Sequence, residues 1–182
     1  MRDIKFIQSI LLIISLFLIT SCSNNSAMKP EDFKNKEPRL IIEEYLSGNV
    51  KAWGVLQNRS GKVIRQFSAD LDGKWDGKQL ILDEKFNWDD GEIQTRQWQI
   101  TKIDENNYEG TAGDVVGKAK GYSYGPAFKF EYVLLVPVKG KEMKITFDDW
   151  IFKQDDRVAI NKATMTKFGF KVAELTVVFV KD

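Results

Sequence analysis

The sequence predicts an all-β fold, an antiparallel up-and-down barrel of about 8–10 strands with a short N-terminal helix. Beyond Gly48, the chain consists of short runs rich in β-branched and aromatic residues, separated by Gly, Asp and Asn. These runs recur roughly every 10–12 residues, which is the spacing of neighbouring strands joined by tight turns. An open sheet of this size would leave long exposed edges, so closure into a barrel is favoured over a flat sandwich.

The helix is expected before the first strand, over residues 30–33 and 40–46, where Ser47, Gly48 and Asn49 end it. Turn residues then separate the strands at 59–61, 89–91, 105–107, 139–140 and 155–156. The expected strands cover residues 51–58, 63–71, 78–88, 92–103, 108–116, 118–124, 127–138, 141–154, 157–168 and 170–180.

The first 21 residues have the form of a signal peptide. Arg2 and Lys5 give a positive start, an apolar run follows over residues 6–18, and small polar residues close the segment before Cys22. The apolar run is shorter than the roughly 20 residues that a membrane-spanning helix needs. Polar residues rather than a basic cluster follow it, so we expect the segment to be cleaved.

Residues 19–22, Ile-Thr-Ser-Cys, resemble the lipobox of bacterial lipoproteins. The resemblance implies that Cys22 is acylated, with palmitate among its chains, and becomes the first residue of a membrane-anchored lipoprotein. Ser23 stands where the inner-membrane retention signal usually has Asp, so we expect the bacterial outer membrane, facing the periplasm. The alternative is an ordinary signal peptide with an incidental cysteine. The expected organisation is a signal peptide over 1–21, a lipidated tether over 22–36 and a barrel domain over 37–182.

Composition excludes several functional classes. The chain has 27 basic and 26 acidic side chains, and loss of Arg2, Asp3 and Lys5 with the signal peptide would leave a formal net charge of zero. We therefore expect no nucleic-acid partner and membrane attachment through the Cys22 lipid alone. The chain has no histidine and one cysteine, which excludes Ser-His-Asp and Cys-His catalysis and His-ligated or thiolate metal sites. No cofactor and no metal are expected, and the protein is expected to be monomeric.

A candidate site begins at residues 86–92, which are followed by Arg96 and Trp98. Side chains two residues apart share a strand face, so Arg96 lies on the same face as Trp98 and Ile100. A charged group on an apolar face needs a partner. We expect that partner to be Asp148 or Asp149, because adjacent strand residues point to opposite faces and one of the two must therefore point inward.

Two further clusters supply candidate residues. The first is glycine-rich, spans residues 110–117 and 121–125, and contains Asp114 and Tyr124; glycines within strands indicate bulges or close backbone approach. The second is Asp148-Asp149-Trp150, with Asn161 in the following strand. Paired carboxylates beside an aromatic ring could bind a sugar or act as acid and base, and this alternative stays open beside the ion pair.

The clusters together resemble one bacterial lipoprotein family, the family catalogued as domain of unknown function 3833. The residues that carry the resemblance are Leu82-Asp83-Glu84-Lys85-Phe86, Asp90-Gly91-Glu92, Arg96-Gln97-Trp98, Gly110, Ala112, Asp114, Gly117, Ala119, Gly121, Asp148-Asp149-Trp150, Asn161 and Lys167-Phe168-Gly169. Residues 129–132 depart from the family pattern in being more charged. The resemblance implies a lipocalin-like (calycin) barrel on a lipid anchor, with no established activity and no catalytic residues. It also implies a pathway that modifies membrane fatty acids.

Three functions are compatible with these features. The first is a binding protein that holds an apolar or amphipathic ligand, a fatty acid or phospholipid, with Arg96 neutralising its head group. Its candidate residues are Arg96, Trp98, Asp114, Tyr124, Tyr132, Asp148, Asp149, Trp150 and Asn161. The second is an enzyme that acts on lipid or envelope substrate without His or Cys, through Asp114, Asp148 or Asp149. The third is an envelope assembly or scaffolding protein, and a barrel filled by its own ion pairs remains a competing interpretation of the first.

Overall fold

The computed structural model describes residues 27–138 and 140–182. The predicted signal peptide and Cys22 lie outside these residues. Within the described part of the chain, no helix is both long enough and apolar enough to cross a membrane.

Ten antiparallel strands form a closed barrel, as the sequence predicts. The strands follow one another around the barrel in chain order, and β1 pairs with β10 to close it. Their bounds are β1 (Gly48–Asn58), β2 (Val63–Trp75), β3 (Gln79–Trp88), β4 (Ile93–Lys102), β5 (Asn107–Thr111), β6 (Ala119–Tyr124), β7 (Ala127–Val138), β8 (Lys141–Lys153), β9 (Val158–Lys167) and β10 (Phe170–Lys181). A 3-10 turn (Pro30–Phe33) and a single helical turn, α1 (Ile42–Tyr45), precede them.

The largest departure from the predicted strands is at β5, which ends at Thr111 instead of continuing to Val116. Residues 112–118 form a loop that touches the sheet through one isolated bridge between Val115 and Leu134. Gly113 and Gly117 lie in this stretch, and Gly117 has a positive φ of 76° that a strand does not allow. The loop, which contains Asp114, therefore lies beside the barrel wall and is not part of the sheet.

The lower end of the barrel is the end where β2 meets β3, and it is closed by the chain around α1. Leu40, Ile42 and Leu46 are buried there. The backbone amide of Leu40 donates to the carbonyl of Gly125 at 2.8 Å, and the Ser123 hydroxyl donates to the carbonyl of Leu40 at 2.9 Å. These bonds hold the segment across the opening, so access to the interior is restricted to the other end.

The upper end, called the mouth below, is the end where β1 meets β2. The turns that join β3 to β4, β7 to β8 and β9 to β10 also lie at this end, as does the loop between β5 and β6. No helical segment of the described chain crosses it. The mouth is consequently the open side of the barrel.

The 3-10 turn packs against the outer wall near the lower end. The Phe33 ring lies 5.9 Å from the Trp150 ring and 5.5 Å from the Phe152 ring, between centroids. Gly125 makes this approach possible, because a Cβ on it would lie 2.2 Å from the carbonyl oxygen of Phe33. Residues 30–36 thus cover an apolar patch that the wall would otherwise expose.

The core is the inside of the barrel, where apolar side chains alternate with outward polar ones along each strand. Glycines provide room for aromatic rings in this core. A Cβ on Gly54 would lie 2.4 Å from the Phe67 ring, and one on Gly110 would lie 2.4 Å from the Phe130 ring. The close backbone approach expected in the glycine-rich strands is therefore found, with inward aromatic rings as the neighbours.

Candidate functional site

A cluster of polar side chains lies among the aromatic rings inside the barrel. Its centre is Arg96, which β4 directs inward two residues before the buried Trp98. The Arg96 guanidinium donates to one carboxylate oxygen of Asp114 from both Nε, at 3.0 Å, and Nη2, at 2.8 Å. Its Nη1 lies 3.8 Å from Oε2 of Glu84, on the neighbouring strand β3.

The second part of this polar cluster is built around Asp149 on β8. The Tyr132 hydroxyl donates to Oδ2 of Asp149 at 2.8 Å. The side-chain amide of Asn161 on β9 donates to Oδ1 of the same carboxyl and, at 3.1 Å, to the carbonyl of Trp150. Neighbouring strands thus hold the Asp149 carboxyl in one orientation. We call Glu84, Arg96, Asp114, Tyr132, Asp149 and Asn161 the interior polar cluster.

Burial changes the acid–base properties of the interior polar cluster. Desolvation raises the pKa of Glu84 to about 7, because Arg96 offsets the loss of water only in part. Desolvation also raises the pKa of Asp149 to about 6, although the hydrogen bonds from Tyr132 and Asn161 oppose it. For Arg96, desolvation lowers the pKa, but the carboxylates of Glu84 and Asp114 more than compensate and hold it above its ordinary value. Arg96 therefore stays positive, whereas Glu84 and Asp149 change charge near neutral pH.

The structure brings together six of the nine residues predicted for the site. Arg96, Trp98, Asp114, Tyr132, Asp149 and Asn161 are all directed into the barrel or, for Asp114, onto Arg96. One of the two adjacent aspartates points inward, as expected, and it is Asp149; Asp148 is on the outer face, 3.4 Å from the Lys129 amine.

Two parts of the prediction are wrong. The partners of Arg96 are Asp114 and Glu84 instead of Asp148 or Asp149, because the loop after β5 brings Asp114 to the guanidinium while Tyr132 and Asn161 bond to Asp149. Tyr124 and Trp150, like Asp148, do not line the interior. Tyr124 is adjacent to the inward Ser123, and Asp148 and Trp150 are both adjacent to the inward Asp149. Strand alternation therefore places all three on the outer face.

Sequence reasoning missed Glu84 and Arg65. Glu84 continues the inward series of Leu80 and Leu82 on β3, so its phase could have identified it as a buried carboxyl. Arg65 lies near the mouth, where its guanidinium sits 4.0 Å above the Trp88 ring. It also donates to Asp90 at 2.7 Å and to Glu92 at 2.8 Å in the β3–β4 turn. These contacts depend on how the β1–β2 and β3–β4 turns pack against each other, which no local sequence pattern describes.

Two chambers adjoin the interior polar cluster. The mouth chamber has a volume of about 240 Å³ and opens upward. Apolar side chains form most of its wall, including Leu56, Phe67, Phe86, Phe147, Met165 and Leu175, with Arg65 near the rim and Arg96 and Asp114 deeper in. The inner chamber, of about 100 Å³, lies toward α1 and is bordered by Glu84, Asp149 and Asn161 among apolar residues. Arg96 and Tyr132 of the interior polar cluster border both chambers, together with Phe67, Phe86 and Leu175, so these side chains lie between them.

The polar cluster leaves acceptor capacity unused. One buried oxygen of Glu84, Oε2, and one of Asp114, Oδ1, have no hydrogen-bond partner among the described residues. Within residues 27–138 and 140–182, no group of three or more Asp, Glu, His or Cys side chains is arranged to hold a metal ion. The site is thus an apolar chamber with a polar floor. In that floor the charge of Arg96 is balanced by Asp114 and Glu84, and two carboxylate oxygens remain free to accept hydrogen bonds.

Comparison with known proteins identifies relatives of the fold. A family model described as "Protein of unknown function (DUF3833)" matches residues 16–181. The S-type phycobiliprotein lyase CPES from Guillardia theta is similar in structure, with a TM-score of 0.58 and 10% identity over 77% of this chain and 90% of that one. A protein of unknown function from the DUF3598 family of Nostoc punctiforme has a TM-score of 0.60 and 16% identity. That match covers 81% of this chain and 51% of the Nostoc chain. Among curated proteins, none matches the sequence.

Proposed function

This chain belongs to the DUF3833 family of proteins of unknown function, and we propose that it is a lipid-anchored envelope protein whose barrel binds one acyl chain of an amphipathic ligand. The observation that carries the proposal is the mouth chamber. It is open at one end, apolar along its wall and polar at its floor, which is the usual construction of a site for a small amphipathic molecule.

The size of the chamber narrows the ligand. Sites for drug-sized molecules have volumes of about 300–1,000 Å³. The 240 Å³ of the mouth chamber lies just below this range. This is room for part of one acyl chain and too little for the two chains of a phospholipid. Of the two lipid classes predicted, a single-chain molecule such as a fatty acid fits better.

The charges of the site argue against a head group bound at Arg96. Both Nε and Nη2 of Arg96 already donate to Asp114, and Glu84 faces the remaining nitrogen. An incoming anion would have to break this buried pair, and breaking such a pair is costly. We infer that the acyl chain enters first and that its polar end remains near the rim. Arg65 is the basic side chain on the chamber wall there, and its pairs with Asp90 and Glu92 are partly exposed to solvent, so exchanging them costs less than breaking the buried pair of Arg96.

The anchor is the second part of the proposal, and the Ile-Thr-Ser-Cys motif at residues 19–22 supports it. One acyl chain gives only marginal membrane binding, whereas two or three give a stable anchor. Cys22→Ser should therefore let high salt release the protein from the membrane fraction with its fold unchanged, whereas the unaltered protein should require detergent. Fractionation in high salt followed by circular dichroism checks this, and a variant that only detergent releases would contradict an anchor at Cys22.

Ligand binding is tested by filling the chamber. Met165 lines the mouth chamber, and Thr164 is its neighbour on the outer face of β9. Met165→Trp should weaken binding of a fluorescent fatty acid at least tenfold, whereas Thr164→Trp adds the same ring outside and should leave binding as it is. Native mass spectrometry of gently extracted protein provides a second measurement. Equal affinity of the two variants, or no binding by the unaltered protein, would refute the proposal.

A further inference from the structure

Exposed apolar side chains are concentrated at the mouth. Phe168 and Phe170 are 88% and 76% exposed, the highest values among the large apolar residues of the described chain. Val63 and Ile64, at the start of β2, and Val138, at the end of β7, are also exposed. These residues lie in or next to the β1–β2, β7–β8 and β9–β10 turns, which are consecutive around the barrel in the order β2, β1, β10, β9, β8, β7. We call this continuous part of the mouth the apolar rim.

Phe168 has a backbone conformation that is unfavourable for an exposed aromatic residue. It has a positive φ of 51° and is followed by Gly169 with φ of 80°, so the two form the tip of the β9–β10 hairpin. Hairpin tips of this kind favour Asn or Asp followed by Gly, because a bulky side chain is disfavoured at positive φ. The chain therefore carries a strained and solvent-exposed aromatic ring where a polar residue would be more stable. Such strain is typical of functional positions.

Basic side chains accompany the apolar rim. Arg59, Lys62, Lys141 and Lys171 are exposed in or beside its turns, and Lys167 is partly exposed next to Phe168. The acidic residues there are Glu142, which is exposed, and Glu174, which pairs with Lys171 at 2.8 Å. The remaining part of the mouth, next to the β1–β2 turn, is the β3–β4 turn, which carries Asp89, Asp90 and Glu92 beside the exposed Ile93. The mouth thus has one basic, aromatic side and one acidic side.

We propose that the apolar rim docks on the surface of an anionic lipid bilayer, with Phe168 and Phe170 inserted at the interface. This would be a second membrane contact, beside the Cys22 lipid that the sequence predicts as the only one. Exposed aromatic rings flanked by Lys and Arg are the combination that interfacial binding uses, the rings through burial and the cations through attraction to anionic head groups. The mouth chamber opens at the same end, so docking would place its entrance against the lipid. The proposal rests on the rim residues and does not require that the chamber be occupied.

The geometry of the chain is compatible with a lipid at Cys22. Along β8, the nine-residue step from Trp150, which contacts Phe33, to Lys141 at the mouth rises about 30 Å. Residues 30–33 form the 3-10 turn, so the extended part is the eight-residue step from Cys22 to Pro30, which can reach at most about 29 Å. Barrel strands tilt by about 35–45° from the axis, so the distance along β8 corresponds to a height of only about 23 Å. An anchor at Cys22 and the apolar rim can therefore contact the same membrane, although the 3-10 turn lies near the lower end of the barrel.

The test uses residues 27–182, which contain all ten strands and the segment that closes the lower end but no acylation site. This form should bind vesicles of phosphatidylethanolamine and phosphatidylglycerol in a flotation assay, and should bind phosphatidylcholine vesicles less. Phe168→Asn with Phe170→Ser should reduce partitioning about a hundredfold, at roughly tenfold for each buried ring. High salt should also reduce it. Asn tolerates positive φ better than Phe, so the variant should fold at least as well, which urea unfolding checks.

Ile103→Ser is the matched control, since Ile103 is 56% exposed but lies between β4 and β5 at the closed end. It should leave vesicle binding as it is. Absence of binding by the unaltered form, or equal binding by the double variant, would overturn the proposal. A concentration-dependent dimer that the double variant abolishes, without vesicle binding, would identify a second copy of the chain as the occupant instead. Met165→Trp should dock normally, which separates a failure here from a failure of ligand binding.

Discussion

Replacing Glu84 with Gln should stabilise the protein at pH 8 and change its stability little at pH 5. Glu84 lies inside the barrel, where desolvation raises its pKa from 4.5 to about 7. A carboxyl whose pKa is higher in the folded than in the unfolded protein binds more protons when folded. Its contribution to the free energy of unfolding is full below about pH 4.5 and is lost as the pH rises through 7. This sign is the reverse of that for a carboxyl in a favourable salt bridge.

The magnitude follows from the two raised pKa values. One pKa unit corresponds to about 1.4 kcal/mol, so the shift of Glu84 corresponds to about 3 kcal/mol in total, most of it lost between pH 5 and 8. The pKa of Asp149 is raised from 3.8 to about 6, and the stability that this shift contributes falls by about 1 kcal/mol over the same interval. The unaltered protein should therefore lose about 4 kcal/mol of stability from pH 5 to 8, and the Glu84→Gln variant about 1 kcal/mol.

The composition of the chain removes the usual source of pH-dependent stability between pH 5 and 8. Histidine is the side chain that ordinarily titrates between pH 5 and 8, and the sequence contains none. Urea unfolding followed by tryptophan fluorescence at pH 5, 6, 7 and 8 gives the free energies. Asp83→Asn, on the outer face of the same strand, is the control and should retain the full loss. If Glu84→Gln and Asp83→Asn lose the same amount, burial of an ionising Glu84 is refuted.

Two further predictions concern the packing and the hydrogen bonds of the interior. Gly110→Ala should destabilise the barrel by about 1–3 kcal/mol, because the new Cβ would lie 2.4 Å from the Phe130 ring. Gly113→Ala, with nothing within 4 Å of its Cβ, should cost under about 1 kcal/mol in the same urea assay, and equal losses would contradict the packing argument. Tyr132→Phe removes the donor to Asp149 and should cost about 1–3 kcal/mol at pH 8. At pH 5, below the pKa of about 6, Asp149 is protonated and the cost should be smaller; a cost independent of pH would contradict this assignment.

The residues of the site divide into those that alternation could place and those that it could not. Arg96 and Trp98 were predicted inward and are inward, because strand phase alone decides the face of a side chain. Glu84 obeys the same rule and could have been recognised from its phase with Leu80 and Leu82. Phase does not tell which inward residues meet. The pairing of Arg96 with Asp114 depends on a loop whose path no local pattern describes.

Trp150 illustrates a second limit. Its aromatic character suggested an interior position, yet it lies on the outer face and is buried there by Phe33, from more than a hundred residues earlier in the chain. The size and apolar character of a tryptophan predict that it is buried, but they do not predict which residues bury it. Residues 30–36, expected to belong to a polar tether, supply the cover.

The sequence by itself determined the all-β class, the positions of most turns, the alternation of faces and the residue types that exclude histidine and thiol chemistry. These properties are local, because they depend on backbone preferences and on the two-residue period of a strand. The tertiary structure decided the rest: the partners of Arg96, the burial that raises the pKa values of Glu84 and Asp149, the mouth chamber and the apolar rim. The pairing of Arg96 with Asp114 depends on the path of the loop after β5. The burial, the mouth chamber and the apolar rim combine strands from both ends of the chain, which surround one interior only once β1 has paired with β10.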